Sequence, residues 1–452
     1  METGKWEERS LIPGRPSNRL LARQTADRFP PAPVACARIL GENMRILRLS
    51  LANFRNYIRL ETAFPRGAIL LAGPNAQGKT SLLEAVYVFT HARSPLADND
   101  RQLINFLALR EEQPFARLEA EAEDASGTVH LEVRLFFERT AQGERRFRKH
   151  VLVNSVRRKP SELPGVFRAL LFLPQELRVV EGAPADRRRH IDETAAQADP
   201  AYRTAMGQYH HALTQRNALL RTLQDSGGDP AQLDVWDEPL SASGSTLLLG
   251  RARALAEIES LAAPLHRRLT HDTETLHVRY CPAWDPSRPL ENGDRRQREL
   301  PIDAAVDHTK WKAAEVHGML LEHLRKGRDR AIRRGVTGSG PHRDEIRFLA
   351  NGIDLTSYGS RGQARTALLA LKLAEVEWLR KRGGEWPVLL LDEVFSELDV
   401  RRREDLLGDL ERADQVFTTA SDPEMLPLAY RQRAHAWWVE GGTLKPFAVG
   451  KK

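Results

Sequence analysis

The chain has 452 residues, with 68 Lys and Arg against 61 Asp and Glu, and a net charge of +7. Hydrophobic residues at 41% and charged residues at 29% exclude disorder throughout, and no apolar run approaches the roughly 20 residues of a membrane helix, so a soluble protein is expected. Two cysteines, Cys36 and Cys281, exclude a disulfide framework and no Cys/His group has zinc-ligand spacing, so a cytoplasmic location is predicted; the length suggests about three structural units.

Residues 1–43 are rich in Pro and Arg, include Phe29-Pro30-Pro31-Ala32-Pro33 and lack a signal-type apolar core, and are read as a disordered extension. From Met44, a second candidate start of translation, residues 44–51 alternate apolar and polar side chains with the period of a half-buried strand. A second strand is predicted over residues 68–72. It leads at once into Gly73-Pro74-Asn75-Ala76-Gln77-Gly78-Lys79-Thr80, and Ser81-Leu82-Leu83-Glu84-Ala85-Val86-Tyr87 then reads as a helix. Strand, G-x-x-x-x-G-K-T and helix together make a phosphate loop. The glycines let backbone N–H groups curl around phosphate oxygens, and the helix N-terminus adds a positive dipole end. Lys79 is expected to reach the β- and γ-phosphates of ATP, and Thr80 to offer its hydroxyl to Mg2+.

Four basic clusters follow: Arg145-Arg146-Phe147-Arg148-Lys149-His150, Arg157-Arg158-Lys159, Arg187-Arg188-Arg189 and residues 326–334. Each can neutralise phosphates without reading sequence. The first, strand-like and with an aromatic between its charges, is the preferred DNA contact, through Arg145, Arg146, Arg148 and Lys149. Residues 195–334 are helix-rich but broken by Gly227-Gly228, Pro230, Pro239 and a Pro/Asp/Arg-rich loop around 282–292, which excludes a long coiled coil and predicts a compact lobe.

Tyr358-Gly359-Ser360-Arg361-Gly362-Gln363 precedes an apolar helix whose N-terminus is a second candidate anion site, offering the Ser360 hydroxyl and the Gly362 backbone N–H. Residues 388–391 read as a buried strand ending in Asp392-Glu393. Asp392 is placed to hold Mg2+, and Glu393 to polarise the water that attacks the γ-phosphate.

These three motifs, in this order, resemble the ABC-type ATPase head. Leu49-Ser50-Leu51-Ala52-Asn53-Phe54-Arg55-Asn56-Tyr57, Phe172-Leu173-Pro174-Gln175-Glu176-Leu177, Gly182-Ala183-Pro184-Ala185-Asp186-Arg187-Arg188-Arg189, Gln215-Arg216-Asn217, Val235-Trp236-Asp237 and Gly340-Pro341-His342-Arg343-Asp344-Glu345 further resemble the RecF family of bacterial repair ATPases. That resemblance implies an α/β fold: an ABC-type P-loop ATPase head with mixed sheets and an inserted helical lobe, the head running over residues 44–194 and 335–452 and the lobe over 195–334. It implies ATP and Mg2+ as ligands, with residues 73–81 including Ser81, and also Arg55, around the phosphates. Ser360, Gly362 and Gln363 would form a signature that caps the γ-phosphate held by a second copy. Gln175 would be a γ-phosphate and magnesium sensor, and Asp399 a loop acid contacting the opposite protomer.

The resemblance also implies slow, DNA-stimulated ATP hydrolysis and an ATP-dependent homodimer at single-strand gaps and junctions. RecO and RecR are the implied partners towards RecA loading, with no membrane involved and nucleoid association when bound to DNA. Thr418-Thr419 stand where transporter heads keep a switch histidine, which speaks against a transporter ATPase subunit. The other rival, an SMC-type structural clamp, needs long arms that the helical segment lacks.

Overall fold

The computed structural model describes residues 44–140, 143–285, 307–397, 403, 406–408, 410 and 412–447. The predicted extension over residues 1–43 lies outside them, as does Asp399. The described residues belong to one compact unit, Glu42–Lys452.

β1 (Arg45–Phe54) carries the alternation read from the sequence, with one correction. Ile46 is buried on an even position, whereas Leu49 and Leu51 are buried on odd ones, because a β-bulge shifts the register between Ile46 and Arg48. A tight turn joins β1 to β2 (Tyr57–Ala63), and β3 (Gly67–Ala72) follows. β1 and β2 join β4 (Phe115–Asp124), β5 (Gly127–Arg139), β6 (Arg145–Val153) and β7 (Val156–Arg158) in an antiparallel sheet of order β2-β1-β4-β5-β6-β7. Its buried residues, among them Leu118, Leu131, Val133 and Leu135, share one core with α1 (Lys79–His91).

The second sheet holds β3, β8 (Ala169–Phe172), β12 (Val388–Leu391), β13 (Gln415–Ala420), β14 (His435–Glu440) and β15 (Thr443–Pro446) in the order β15-β14-β3-β13-β12-β8. All pairs are parallel except β14 with β15. β8, β12 and β13 are buried at every position; β8 and β12 accordingly read as unbroken apolar runs, whereas β13 buries Gln415, Thr418 and Thr419 among its apolar residues. β3 and β12 are separated by β13 alone, so the loops after all three meet at the carboxyl end of the sheet.

Between the two halves of this sheet the chain builds α2 (Arg178–Glu181), α3 (Pro184–Ala198), α4 (Pro200–Ser226), α5 (Asp234–Leu269), α6 (Ala313–Lys326) and α7 (Arg328–Arg334). The expected break at Pro239 does not occur. α5 runs on through Pro239 and Pro264 for 36 residues. A proline inside a helix costs about 3 kcal/mol, but each buried Leu or Ile returns roughly 1.5–3 kcal/mol, and α5 buries Leu240, Leu247, Leu248, Leu255, Ile258 and Leu269. Gly227 does end α4 as expected.

The lobe boundaries drawn from the sequence cut through structure. Position 195 falls inside α3, and β9 (Leu276–Cys281) pairs antiparallel with β10 (Glu345–Ala350) across position 334; β11 (Ile353–Asp354) completes that small sheet. α8 (Leu355–Tyr358) and α9 (Arg361–Gly383) follow.

Candidate active site

The loop after β3 takes its shape from two glycines. Gly73 has φ +148, and a Cβ there would stand 2.3 Å from the Val439 carbonyl oxygen; Gly78 has φ +114, and a Cβ would stand 2.6 Å from Asn56 Nδ2. Both positions therefore require glycine. The loop is braced from two hairpin turns. From the β1–β2 turn, Asn56 Nδ2 donates to the Gln77 carbonyl at 2.8 Å and the Tyr57 hydroxyl to that of Gly78 at 2.9 Å. From the β14–β15 turn, Gly441 N–H donates to Gln77 Oε1 at 2.9 Å. Asn56 and Tyr57 end the segment from Leu49 that carries the family resemblance, but the sequence assigns neither of them a role at the loop.

Lys79 opens α1 and is 5% exposed. Its ammonium donates to the carbonyls of Gly73 at 2.7 Å and Pro74 at 3.0 Å, and lies 3.4 Å from Glu393 Oε1. Thr80 Oγ1 lies 2.9 Å from both carboxylate oxygens of Asp392. Thr419, on the intervening strand β13, donates to Asp392 Oδ1 at 2.9 Å and accepts from the Glu393 backbone N–H at 2.9 Å. Ser421 Oγ donates to Glu393 Oε2 at 3.2 Å. Glu393 itself takes φ +51, a left-handed conformation that a non-glycine residue adopts only when its surroundings impose it.

Burial pushes the Asp392 carboxyl above its ordinary range; hydrogen bonds from Thr80 and Thr419 draw it back, and the neighbouring Glu393 charge raises it further. A cation beside Asp392 would offset that penalty. The donors suit magnesium: one carboxylate and one hydroxyl, all oxygen, with phosphates and water left to complete the shell. A cavity of about 230 Å3 opens beside Lys79, Thr80 and Glu393, lined also by Asn56, Asn75, Ala76, Gly78 and Ser81, with Asp392 bound to Thr80 next to it. Residues from positions 56 to 393 thus converge on one phosphate-sized space.

Other predicted residues stand elsewhere. Arg55 does not line this cavity. Its guanidinium forms a two-armed pair with Glu84 of α1, 2.8 and 2.5 Å, and donates to the Gln102 carbonyl at 3.0 Å. Asn56, one residue on, takes the place at the loop. Gln175 is exposed and lines a separate cleft of about 720 Å3 together with Tyr87, Arg93, Phe147 and Arg189. Its neighbour Glu176 pairs with Lys372 of α9 at 2.7 Å.

Ser360 and Gly362 are exposed at the start of α9 and do not touch the cavity of their own chain. Ser360 Oγ accepts from Gln363 N–H at 3.2 Å while Gln363 Oε1 accepts from Ser360 N–H at 2.9 Å, a reciprocal cap that holds the helix entrance open to solvent. Gln363 Nε2 also donates to Glu274 at 2.8 Å.

The preferred basic cluster is split by the period of β6. Arg145 and Lys149 share one face of the strand, Arg146 and Arg148 the other. Lys149 is held by Asp100 at 2.6 Å and the Ala92 carbonyl at 2.8 Å, and Arg148 by Glu138 at 2.8 Å. Arg145 donates to the Glu112 carbonyl at 3.3 Å, and Arg146 is exposed. The sequence showed the charges but not the carboxylates that meet them.

The model of the RecF/RecN/SMC N terminal domain matches residues 45–439. The chain is 38% identical over 414 residues to the DNA replication and repair protein RecF of Roseiflexus castenholzii, covering 89% of this chain and all of that protein. This chain belongs to the RecF family. The RecF protein of Chloroflexus aurantiacus is 37% identical, over 88% of this chain and 99% of its own length. A solved structure of the recombination mediator protein RecF with ATP, in the RecFOR pathway, superposes with a TM-score of 0.73 at 27% identity, covering 90% of this chain and 99% of that one. The RecF fold is therefore the fold of this chain, an ABC-type ATPase head with mixed sheets. No helix among the described residues is long and apolar enough to cross a membrane.

Proposed function

We propose that this chain is an ATP-driven switch of recombinational DNA repair, which binds ATP with magnesium, closes as a homodimer on DNA at single-strand gaps and junctions, and opens on hydrolysis. The observation that carries the reading is the meeting of Lys79, Thr80 and Glu393 around one cavity, with Asp392 bound to the Thr80 hydroxyl.

The loop N–H groups and Lys79 bind the phosphates of ATP, the ammonium exchanging its contacts with the Gly73 and Pro74 carbonyls for phosphate oxygens. Thr80 and Asp392 would hold magnesium, which would supply positive charge beside the phosphates. Glu393, kept in place by Ser421 and by its own backbone bond to Thr419, accepts a proton from water as the water oxygen attacks the γ-phosphorus and the bond to ADP breaks.

Ser360 and the Gly362 N–H, solvent-facing on this chain, complete the γ-phosphate site of a second copy. ATP then binds the dimer better than the monomer, and that difference is what moves the equilibrium. Release of phosphate removes the bridge. The resemblance extends the reading to slow, DNA-stimulated turnover in the cytoplasm, on the nucleoid, and to action with RecO and RecR towards RecA loading.

Sedimentation with ATP and magnesium, with and without gapped DNA, tests it. Glu393→Gln should accumulate dimer and lose turnover by about 10²–10⁴, while Ser360→Arg should stay monomeric. Wild-type turnover in the first variant would remove Glu393 from its assigned role.

A further inference from the structure

The basic clusters of this chain differ in how their charges are engaged. On the antiparallel sheet several of the basic residues face carboxylates: Arg117 and Arg134 meet Glu132, Arg148 meets Glu138 and Lys149 meets Asp100, while Arg145 reaches only the Glu112 carbonyl and Arg146 stands exposed on the face of Arg148. Arg157 and Arg158 lie on β7, at the edge of the sheet, where cations block pairing with another chain. Arg187 is buried and bound to Glu345 at 2.9 Å. Most of the charge in these clusters has an intramolecular explanation.

On α7 (Arg328–Arg334), three of the four arginines have no such carboxylate partner among the described residues. Ala331 and Ile332 pack into a small apolar core with Leu220 and Leu223 of α4 and Leu233, which turns the rest of the helix outward. Arg330, Arg333 and Arg334 are exposed, and none has an ion pair or side-chain hydrogen bond among the described residues. Their spacing, i, i+3 and i+4, sets them on one helix face, where like charges repel. Arg221 of α4, also exposed, extends the patch: its Cγ lies 3.5 Å from where a Cβ on Gly335 would stand, at the end of α7. A helix dipole favours cations in its last turn, yet it accounts for neither Arg330 nor Arg221.

The frame beneath this patch is rigid. Arg328 binds Asp237 and Asp234, both at 2.6 Å, and Asp237 binds the buried Arg216 at 2.6 Å, whose other arm donates to Thr337 at 2.8 Å. The same short helix thus spends its first arginine on structure and presents the next three to solvent.

We infer that the exposed face of α7, Arg330, Arg333 and Arg334 with Arg221 beside them, is a contact surface for the phosphodiester backbone of DNA. The inference rests on the DNA-binding reading proposed above and moves the contact from the strand cluster at Arg145 to the helical lobe. Planar guanidinium groups free of carboxylates match phosphate oxygens, and a row of them on a rigid helix holds a backbone without reading bases.

The test measures fluorescence anisotropy of labelled gapped DNA, and of duplex and single-stranded controls, with full-length protein and ATP between about 50 and about 200 mM salt. The variants are Arg330→Gln/Arg333→Gln/Arg334→Gln, the same three sites changed to Lys, and a charge-matched set at paired surface arginines, Arg59→Gln/Arg139→Gln/Arg382→Gln. The Gln set on α7 should flatten the plot of log affinity against log salt by about 2–3 on duplex-containing DNA, at roughly 0.9 per lost phosphate contact. The Lys set should restore it, the charge-matched set should leave it in place, and ATP binding without DNA should be unchanged in all three. A larger effect on duplex than on single strand assigns the face to the duplex arm of the gap, and the reverse assigns it to the single strand.

If wild type binds DNA and the α7 Gln set binds with the same affinity and slope, the surface is overturned while the DNA-binding reading stands. Equal flattening by the charge-matched set reduces the effect to net charge and overturns the surface as well. If wild type itself binds no DNA, the reading and this inference fall together.

Discussion

The Thr80 hydroxyl lies 2.9 Å from each carboxylate oxygen of Asp392, a residue 312 positions further along the chain. The two meet because their strands, β3 and β12, flank β13, and Thr419 at the end of β13 ties Asp392 to the Glu393 backbone. Thr419→Val keeps the shape and removes both bonds, leaving a Glu393 N–H unpaired at a cost of about 1–3 kcal/mol. It also removes one of the two hydroxyls that hold the buried Asp392 carboxyl down. Magnesium-dependent nucleotide affinity in this variant should begin to fall at a higher pH than in wild type as pH is lowered from 7, because a protonated Asp392 is a poorer ligand. Thr419→Ser should follow the wild-type curve; titrating nucleotide affinity against pH compares the three, and superimposed curves would count against the bridge.

Gly78→Ala tests the phosphate loop. A Cβ at φ +114 meets Asn56 Nδ2 at 2.6 Å and must displace the brace from the β1–β2 turn. Strain of about 1–3 kcal/mol at such a position, realised in the binding conformation, corresponds to roughly a ten- to hundredfold loss of ATP affinity. Gly127→Ala has a similar φ, +129, but open space around it. Calorimetric ATP binding should therefore fall in the first variant and stay level in the second; an equal drop in both would point to backbone strain at large.

Arg55→Ala separates stability from nucleotide binding. Glu84 is 2% exposed and accepts from Arg55 and from Ser94. Removing Arg55, itself partly exposed, leaves that carboxylate buried and should cost roughly 2–3 kcal/mol of folding stability, below the 3–5 of a fully buried pair. ATP affinity should change much less. Chemical denaturation beside nucleotide titration reads both, and Arg55→Met with Glu84→Met should recover stability. A tenfold loss of ATP affinity with unchanged stability would return Arg55 to the phosphates.

The turn ahead of β10 carries a pH dependence of known sign. Burial pushes the His342 imidazole down to about 4, with the Thr337 carbonyl pulling slightly the other way. Its Nδ1 faces the Tyr209 hydroxyl at 2.7 Å and its Nε2 the Thr337 carbonyl at 3.1 Å, an arrangement that suits the neutral ring. A folded value below the unfolded one means that the folded state binds fewer protons. The contribution is therefore complete above about 6.5 and is lost as pH falls towards 4, by roughly 3 kcal/mol at most. Denaturation midpoints measured across that window should drop for wild type and flatten for His342→Gln; parallel curves would place the titration in another group.

What was legible in the chain was whatever consecutive residues build by themselves. The phosphate loop, the acidic strand end and the Ser360 cap each need only a few adjacent backbone groups, so spacing alone announced them. The bulge in β1, the passage of α5 through Pro239 and the pairing of Arg55 with Glu84 were not legible, since each depends on neighbours brought in from elsewhere.

The sequence by itself determined the chemistry on offer: phosphate ligands after β3, carboxylates after β12, a helix entrance at Ser360 and a surplus of arginine. Tertiary structure decided which of these groups meet. It brought Thr419 between Asp392 and Glu393, turned Asn56 to the loop in place of Arg55, and bound basic residues such as Lys149, Arg148 and Arg328 to acids while leaving Arg330, Arg333 and Arg334 of α7 without such partners among the described residues. The physical reason is range: backbone hydrogen bonds and helix caps act over three or four residues, whereas ion pairs and buried contacts act across whatever distance the fold of the sheet has closed.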